Sequence, residues 1–131
     1  DILKIEEKYL CRHAFKDLTM TEFHIIENIG SHTERTMSET AKDLKVTSGT
    51  LTIGIDNLVK KGDVKRYRSP EDKRQVVITL TEKGEKAYAE HELFHQEMVD
   101  HTLTDLKPEQ EEILIKALFN VDSYFKQKYK F

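Results

Sequence analysis

Residues 67–84 read YRSPEDKRQVVITLTEKG, and this stretch decides how the rest of the chain is interpreted. Val76, Ile78 and Leu80 alternate with Val77 and a threonine, which is the two-residue period of a β-strand. The segment SPEDK before them combines Ser, Pro and Asp, residue types that favour turns. We therefore predict a β-hairpin in which one strand runs in, turns and runs back.

The segment before the hairpin has the spacing of two helices joined by a tight turn. A capping box that begins at Thr36 opens the first helix. The second helix is predicted to run from its N-cap Thr47 to a stop at Gly62. Its apolar positions, at four- and three-residue spacing, are Leu51, Ile55 and Leu58. Two helices linked so tightly must cross steeply, which predicts a helix-turn-helix followed by a wing.

Further helices are predicted on both sides of this unit. Residues 2–12 have helical spacing, and a capping box at Thr19 opens a helix that ends at Gly30. Near the C-terminus, Thr81 and Pro108 each open a long amphipathic helix. The predicted fold class is therefore mainly α with a small β-hairpin wing, a winged helix-turn-helix with N- and C-terminal helices.

The C-terminal helices also predict a dimer. Their apolar stripes are too long to be buried by one small winged helix, so they need a partner. A twofold dimer would cover Ile113, Leu118, Val121 and Phe125. We assign residues 19–81 to a winged helix-turn-helix region, and residues 1–18 and 82–131 to a helical dimerisation region.

Positive charge is concentrated around the hairpin, where the basic residues are Lys60, Lys61, Lys65, Arg66, Arg68, Lys73 and Arg74. The 131 residues include 21 Lys and Arg against 24 Asp and Glu, a net charge of −3. From Thr36 to Gly84, 10 basic and 7 acidic residues give +3, which leaves −6 for the remainder. A basic middle between acidic ends is expected where one module faces phosphates. An ordinary solvated surface could carry the same charges, so charge alone does not decide the function.

The polar face of the second helix fits a DNA major groove. Burial of its apolar positions turns small polar side chains outward, together with Ile53, which can contact a thymine methyl group. Hydroxyls and the Asn57 amide can reach bases or phosphates, and the hairpin tip can reach the minor groove. The predicted DNA-contacting residues are Thr47, Ser48, Thr50, Thr52, Ile53, Asn57, Lys60, Lys73 and Arg74. The alternative is a winged-helix scaffold for protein assembly.

The stretch TMSETAKDLKVTSGTLTIGIDNLVKKGDVKRYRSPEDKRQVVITLTEKG, residues 36–84, resembles the DNA-binding half of the MarR family of bacterial transcription regulators. The motif DKR followed by LTEKG carries most of the similarity. The resemblance implies that Arg74 is the minor-groove arginine of the wing tip and that Asp72 braces it. It also implies that Arg66 positions the protein by contacting the DNA backbone. Thr40 departs from the family, which usually has an aliphatic residue there, so looser packing is expected at that turn.

Two short motifs, FKDLTMTEFHIIENIG at 15–30 and FHQEMV at 94–99, are similar to repressors of fatty-acid synthesis genes in Gram-positive bacteria. This similarity implies a homodimeric repressor on a pseudo-palindromic double-stranded operator, with an acyl chain on acyl carrier protein as co-repressor. The residues that could line an acyl slot are Phe15, Met20, Phe23, His24, Ile26, Phe94, His95 and Met98. An ordinary core would use the same apolar residues.

Other functional signals are weaker. His91 and His95 have the i, i+4 spacing of a zinc-binding pair, so a metal- or small-ligand-sensing repressor is the alternative. Cys11 fits an inert buried thiol better than a redox sensor. No catalytic set, bound metal or cofactor is expected. A single cysteine and the lack of a membrane-length apolar run predict a cytoplasmic protein. Because the sequence begins with Asp, the natural N-terminus is expected to be missing.

Overall fold

The structure, a computed structural model, describes residues 17–129. The predicted helix at 2–12 lies outside these residues. The chain divides into two compact units with a boundary between Phe94 and His95. The described helices and strands are α1 (Met20–Ile29), β1 (Glu34–Thr36), α2 (Met37–Leu44), α3 (Ser48–Lys61), β2 (Val64–Arg68), β3 (Val76–Leu80), α4 (Glu82–Leu103) and α5 (Pro108–Tyr129).

The helix starts and stops are those that the sequence predicted. Thr19 and Thr36 each form a complete capping box, in which the threonine oxygen accepts a backbone N–H three residues later and a glutamate returns the bond. Thr47 caps α3 by accepting the N–H of Thr50 at 3.1 Å. At the other end, Gly62 has the left-handed φ of 85° that a side chain disfavours. These local signals set the length of each helix without help from distant residues.

The sheet has three strands rather than the predicted two. Its order is β1-β3-β2 with antiparallel pairing throughout, so the wing hairpin pairs Tyr67 with Val77 and β1 adds Arg35 opposite Ile78. The sequence interpretation missed β1 because three residues without alternation carry no strand signal. Strict alternation in β3 was also wrong, since Val77 and Ile78 are both buried. Val77 lies in the central strand, between Thr36 of β1 and Tyr67 of β2.

The core of the first unit is formed by apolar faces of α1, α2, α3, α4 and the sheet. Its buried residues are Leu18, Phe23, Ile25, Ile26, Ile29, Ala41, Leu51, Ile55, Leu58, Val64, Ile78, Leu80 and Ala87. Thr40 is fully buried, and its hydroxyl donates to the Thr36 carbonyl at 2.9 Å. The expectation of looser packing at Thr40 was therefore wrong, because the helix itself satisfies the hydroxyl.

The start of α4 packs closely on the end of α3, which gives the motif LTEKG a structural meaning. Thr81 Oγ1 donates to the Gly62 carbonyl at 2.6 Å and accepts the N–H of Gly84 at 3.2 Å. A Cβ on Gly84 would lie only 2.1 Å from the Asp63 carbonyl oxygen. Glycine is therefore required for this approach of helix to backbone.

The following turn of α4 holds the loop between α1 and β1. Glu85 accepts hydrogen bonds from the Ser31 hydroxyl at 2.6 Å and from the His32 backbone N–H at 2.7 Å. Burial acts to raise the pKa of Glu85, but these hydrogen bonds and the nearby imidazole outweigh it and lower that pKa. The beginning of α4 thus binds two separate segments of the winged helix.

The second unit comprises the end of α4 and all of α5. Pro108 is the first residue of α5, and the Lys107 N–H is satisfied by the Gln110 side chain at 2.9 Å. Large apolar side chains of α5 are exposed within the single chain, among them Ile113 at 69% and Phe119 at 67%. No helix among residues 17–129 is both long and apolar enough to span a membrane.

Candidate nucleic-acid interface

Helix α3, the second helix of the helix-turn-helix and called the recognition helix from this point, exposes a band of small polar side chains. Its three predicted core residues, Leu51, Ile55 and Leu58, are at most 1% exposed. The opposite side, here called the outer face of α3, consists of Ser48, Thr50, Thr52, Ile53 and Asn57, all exposed. Ile53 is 66% exposed, a large apolar side chain in a polar surface. The helix therefore has the orientation that the sequence predicted.

Hydroxyl groups at the start of α3 already make hydrogen bonds within the chain. Thr52 Oγ1 donates to the Ser48 carbonyl at 2.8 Å, so outward it offers only oxygen lone pairs and a methyl group. Thr47 Oγ1 lies 2.8 Å from Thr50 Oγ1 and also accepts the N–H of Thr50. Bases that present an amino group or a thymine methyl suit such a surface.

Arg66 of β2 reaches across to the recognition helix. Its guanidinium pairs with the Asp56 carboxylate, and both side chains are partly exposed. Asp56 is one of the polar side chains that the helical spacing predicts to face outward. The pair neutralises the only acidic residue of α3, so the outer face carries no uncompensated negative charge towards a phosphate backbone.

The wing tip presents a nearly fully exposed arginine held by a carboxylate. Asp72 Oδ1 accepts the Arg74 N–H at 3.1 Å and Arg74 Nε at 3.2 Å, while the Arg74 side chain is 91% exposed. Arg68 donates to the Lys73 carbonyl at 2.9 Å, and the Ser69 N–H donates to the Gln75 carbonyl. The turn is therefore ordered by the residues that the sequence marked as its tip.

An open cleft of about 590 Å³ lies between the recognition helix and the wing. The N-terminal halves of α2 and α3 contribute Ser38, Ser48 and Thr52, and the sheet side contributes Arg66, Arg68 and Arg74. The sequence predictions did not include Ser38, and they counted Arg68 among the basic residues around the hairpin but not among the DNA contacts. A signal for Ser38 was present, because it follows the predicted N-cap Thr36, where free backbone N–H groups favour anions.

Lys61 does not contribute to this basic surface. Its ammonium lies 2.7 and 3.0 Å from the two carboxylate oxygens of Glu22, which is only 4% exposed. It had been counted with the basic residues around the hairpin, yet its charge is used inside the fold. Lys60, Lys65 and Lys73 are exposed.

The candidate acyl-slot residues do not come together in one unit. Phe15 lies outside the described residues, and His95 and Met98 belong to the second unit. Phe23 and Ile26 are fully buried core residues, Met20 and Phe94 pack at the edge of that core, and His24 is exposed. The alternative that several of these residues simply form a core is correct for Phe23 and Ile26.

His91 is a packed residue of the first unit. It is 2% exposed, its ring stacks on Phe23 at 5.6 Å, and Nδ1 lies 3.9 Å from the Glu27 carboxylate. Within the part of the chain that the structure describes, no three His, Cys, Asp or Glu side chains form a group that could hold a metal. Cys11 lies outside that part.

Fold and surface together define a winged helix-turn-helix of the kind that presents a recognition helix and a basic wing. The chain belongs to the MarR family, whose model matches residues 18–76. It is 35% identical over 107 residues to the multiple antibiotic resistance protein MarR of Escherichia coli. The match covers 78% of this chain and 74% of that protein. Other relatives, such as SarZ and BilQ, are named transcriptional regulators, which agrees with the expectation that the chain is not an enzyme.

Solved structures extend the similarity over nearly the whole chain. FabT of Streptococcus pneumoniae in complex with DNA has a TM-score of 0.89 and 36% identity, covering 96% of this chain and 88% of that one. A mutant of E. coli MarR with operator DNA has a TM-score of 0.67 and 29% identity, and the match covers 92% of this chain and 87% of that one. The regulator SarZ of Staphylococcus haemolyticus is 38% identical over 84 residues, so the match spans about half, 55%, of its length.

Proposed function

We propose that the protein is a sequence-specific DNA-binding transcriptional repressor. The observation that carries this proposal is the exposed outer face of α3 beside a wing whose tip Arg74 is held by Asp72. FabT, which has the same fold at a TM-score of 0.89, was solved with DNA bound, and this supports the proposal. Since hydroxyl, amide and apolar groups are combined with a basic rim, the surface suits reading bases while binding phosphates.

In this proposal the two elements have different tasks. Ser48, Thr50, Thr52, Ile53 and Asn57 read base edges in the major groove, with Thr47 at the start of the helix. Lys60, Arg66 and Lys73 contact phosphates, which gives affinity without sequence information. Arg74 enters the adjacent minor groove, where narrow A·T-rich steps attract arginine.

We further propose that the protein acts as a homodimer on a pseudo-palindromic operator. The exposed apolar side chains of α5 support this, since a monomer rarely leaves so many unburied. Residues 1–18 and 82–131 would form the dimerisation region and residues 19–81 the DNA-binding region. Two recognition helices would then meet successive major grooves about 34–36 Å apart.

The effector is proposed to be an acyl chain carried on acyl carrier protein, with fatty-acid synthesis genes as targets. The sequence motifs at 15–30 and 94–99 and the similarity to FabT support this assignment. Phe23 and Ile26 already fill the core of the first unit. The acyl chain would therefore have to contact other residues among the acyl-slot candidates. The second candidate is a MarR-type repressor that senses a metal or a small ligand.

A selection from a random DNA pool tests the DNA-binding proposal. The expected result is enrichment of a two-half-site duplex whose affinity falls steeply with salt. Recovery of no sequence, or binding without sequence preference, would refute it and favour the protein-assembly scaffold. Repeating the binding with acyl carrier protein bearing short, medium and long acyl chains, and separately with zinc and chelator, tests the effector. Affinity that rises with chain length supports the acyl assignment, and a response to zinc alone refutes it.

A further inference from the structure

A buried carboxylate lies immediately after the recognition helix. Asp63 is fully buried between the end of α3 and the start of β2, and within the described part of the chain no donor lies within 3.5 Å of either carboxylate oxygen in hydrogen-bonding geometry. Its nearest opposite charge is the Lys83 ammonium, 3.6 Å from Oδ2. A buried ionised carboxylate without hydrogen bonds is costly and depends on any cation that faces it.

Lys83 makes three contacts that connect separate segments. Its ammonium donates to the carbonyl of Lys61, the last residue of α3, at 2.8 Å. It also donates to the Asp17 carboxylate at 3.0 Å. The third contact is the ion pair with Asp63. The hydrogen bond to Asp17 is the main cause that raises the pKa of Lys83, so the side chain stays charged at neutral pH.

Among residues 17–129, Lys83 is the one cation that faces Asp63. Beside Lys83, the charged groups that face Asp63 are Asp17 before α1 and Glu22 on α1. Both are acidic, and Glu22 is already paired with Lys61. Gly84 meanwhile brings the α4 backbone against the Asp63 carbonyl. Lys83 is therefore the cation on which this junction depends.

We propose that Lys83 is a positioning residue for DNA binding, which holds the C-terminal end of α3 against the first turn of α4 by binding the Lys61 carbonyl and neutralising Asp63. This inference rests on the proposed DNA-binding function. Base contacts require side chains held to within about 0.5 Å, so a shift at one end of α3 misplaces its outer face. Lys83 itself touches no DNA in this proposal.

The test compares two lysines on the same helix in the full chain. Lys83→Met removes the ammonium from the junction, whereas Lys86→Met removes the same charge from an exposed position one turn later. The probe is the duplex that the wild-type chain selects from a random pool. At pH 7 we expect Lys83→Met to weaken binding at least about tenfold more than Lys86→Met. Equal affinities of the two variants would overturn the proposal.

A second variant separates positioning from loss of fold. Lys83→Met with Asp63→Asn lacks both the cation and the buried charge, and we expect it to regain most of the lost affinity. In Lys83→Met alone, affinity should rise as pH falls, because protonation neutralises Asp63, and the double variant should lack this pH dependence. Lowered thermal stability without the pH-dependent affinity would show a merely structural role. Failure of wild type to select any duplex would instead refute DNA binding itself.

Discussion

Single side chains in this protein are used in ways that residue type alone does not reveal. Lys61 and Lys83 are both lysines near the recognition helix, but one neutralises Glu22 and the other faces Asp63. Arg74, in contrast, is exposed and is held by Asp72. Burial and partners therefore decide which positive charges are available to a phosphate backbone.

Arg74→Ala is expected to weaken operator binding by about 1–3 kcal/mol, because it removes the proposed minor-groove contact. The exposed ion pair with Asp72 contributes little to stability, so the unfolding midpoint should hardly change. Lys73→Ala is the matched change at the same turn, and it should mainly lower the salt slope by about one unit. Titrations at several salt concentrations measure both quantities, and unchanged affinity in Arg74→Ala would contradict the wing assignment.

Asp63→Asn is expected to raise the free energy of unfolding at pH 7 by about 1 kcal/mol, since it removes a buried charge without hydrogen bonds. Burial raises the pKa of Asp63, although Lys83 opposes this. A carboxyl group with a raised folded-state pKa stabilises the fold at low pH and loses that contribution as the pH rises through that pKa. The advantage of the variant should therefore shrink as the pH falls. Urea unfolding at several pH values measures it, and a variant less stable at pH 7 would contradict the argument.

Helices and the wing hairpin followed from short sequence signals, whereas long-range packing did not. The caps at Thr19, Thr36 and Thr47 lie within three residues of their partners, so the sequence predicts them directly. The third strand β1 depends on pairing with β3, more than 40 residues later, and no local pattern encodes it. The outer face of α3 was predictable from helical spacing, but the Arg66 pair with Asp56 required the crossing of two elements.

The junction of α3 with α4 predicts opposite effects for two glycines. Gly84→Ala should lower the free energy of unfolding by about 1–3 kcal/mol, because the new methyl group would collide with the Asp63 carbonyl. Gly49→Ala is the control, since a Cβ there meets nothing within 4 Å and alanine favours a helix by up to about 1 kcal/mol. Thermal or urea unfolding of both variants checks the prediction. Equal stability of Gly84→Ala and wild type would show that the contact relaxes without cost.

At the scale of the whole molecule, the exposed apolar surface of α5 is the feature that a single chain does not account for. Leu118 is 60% exposed and Val121 is 53% exposed. Side chains of this type are normally buried, and burial of each would contribute about 1.5–3 kcal/mol. A second copy of the chain is the partner that the proposed function requires.

Leu118→Glu should therefore weaken the proposed dimer by several kcal/mol, because it places a charge in an apolar interface. Ser123→Glu adds the same charge on the opposite side of α5 and should leave association unchanged. Sedimentation equilibrium at micromolar concentration measures the monomer fraction of each variant. A wild-type monomer that still binds its operator specifically would contradict the dimer model.

The long-range pairing of β1 also has a consequence for the order in which the chain folds. The α1–α3 helices and the β2–β3 hairpin close short loops, whereas Glu34 must find Thr79 across about 45 residues. The edge strand β1 is only three residues long, so few contacts offset the entropy lost when this long loop closes. We expect β1 to join the sheet late in folding and to separate from it early, so that the strand's amides exchange with deuterium before those of the hairpin.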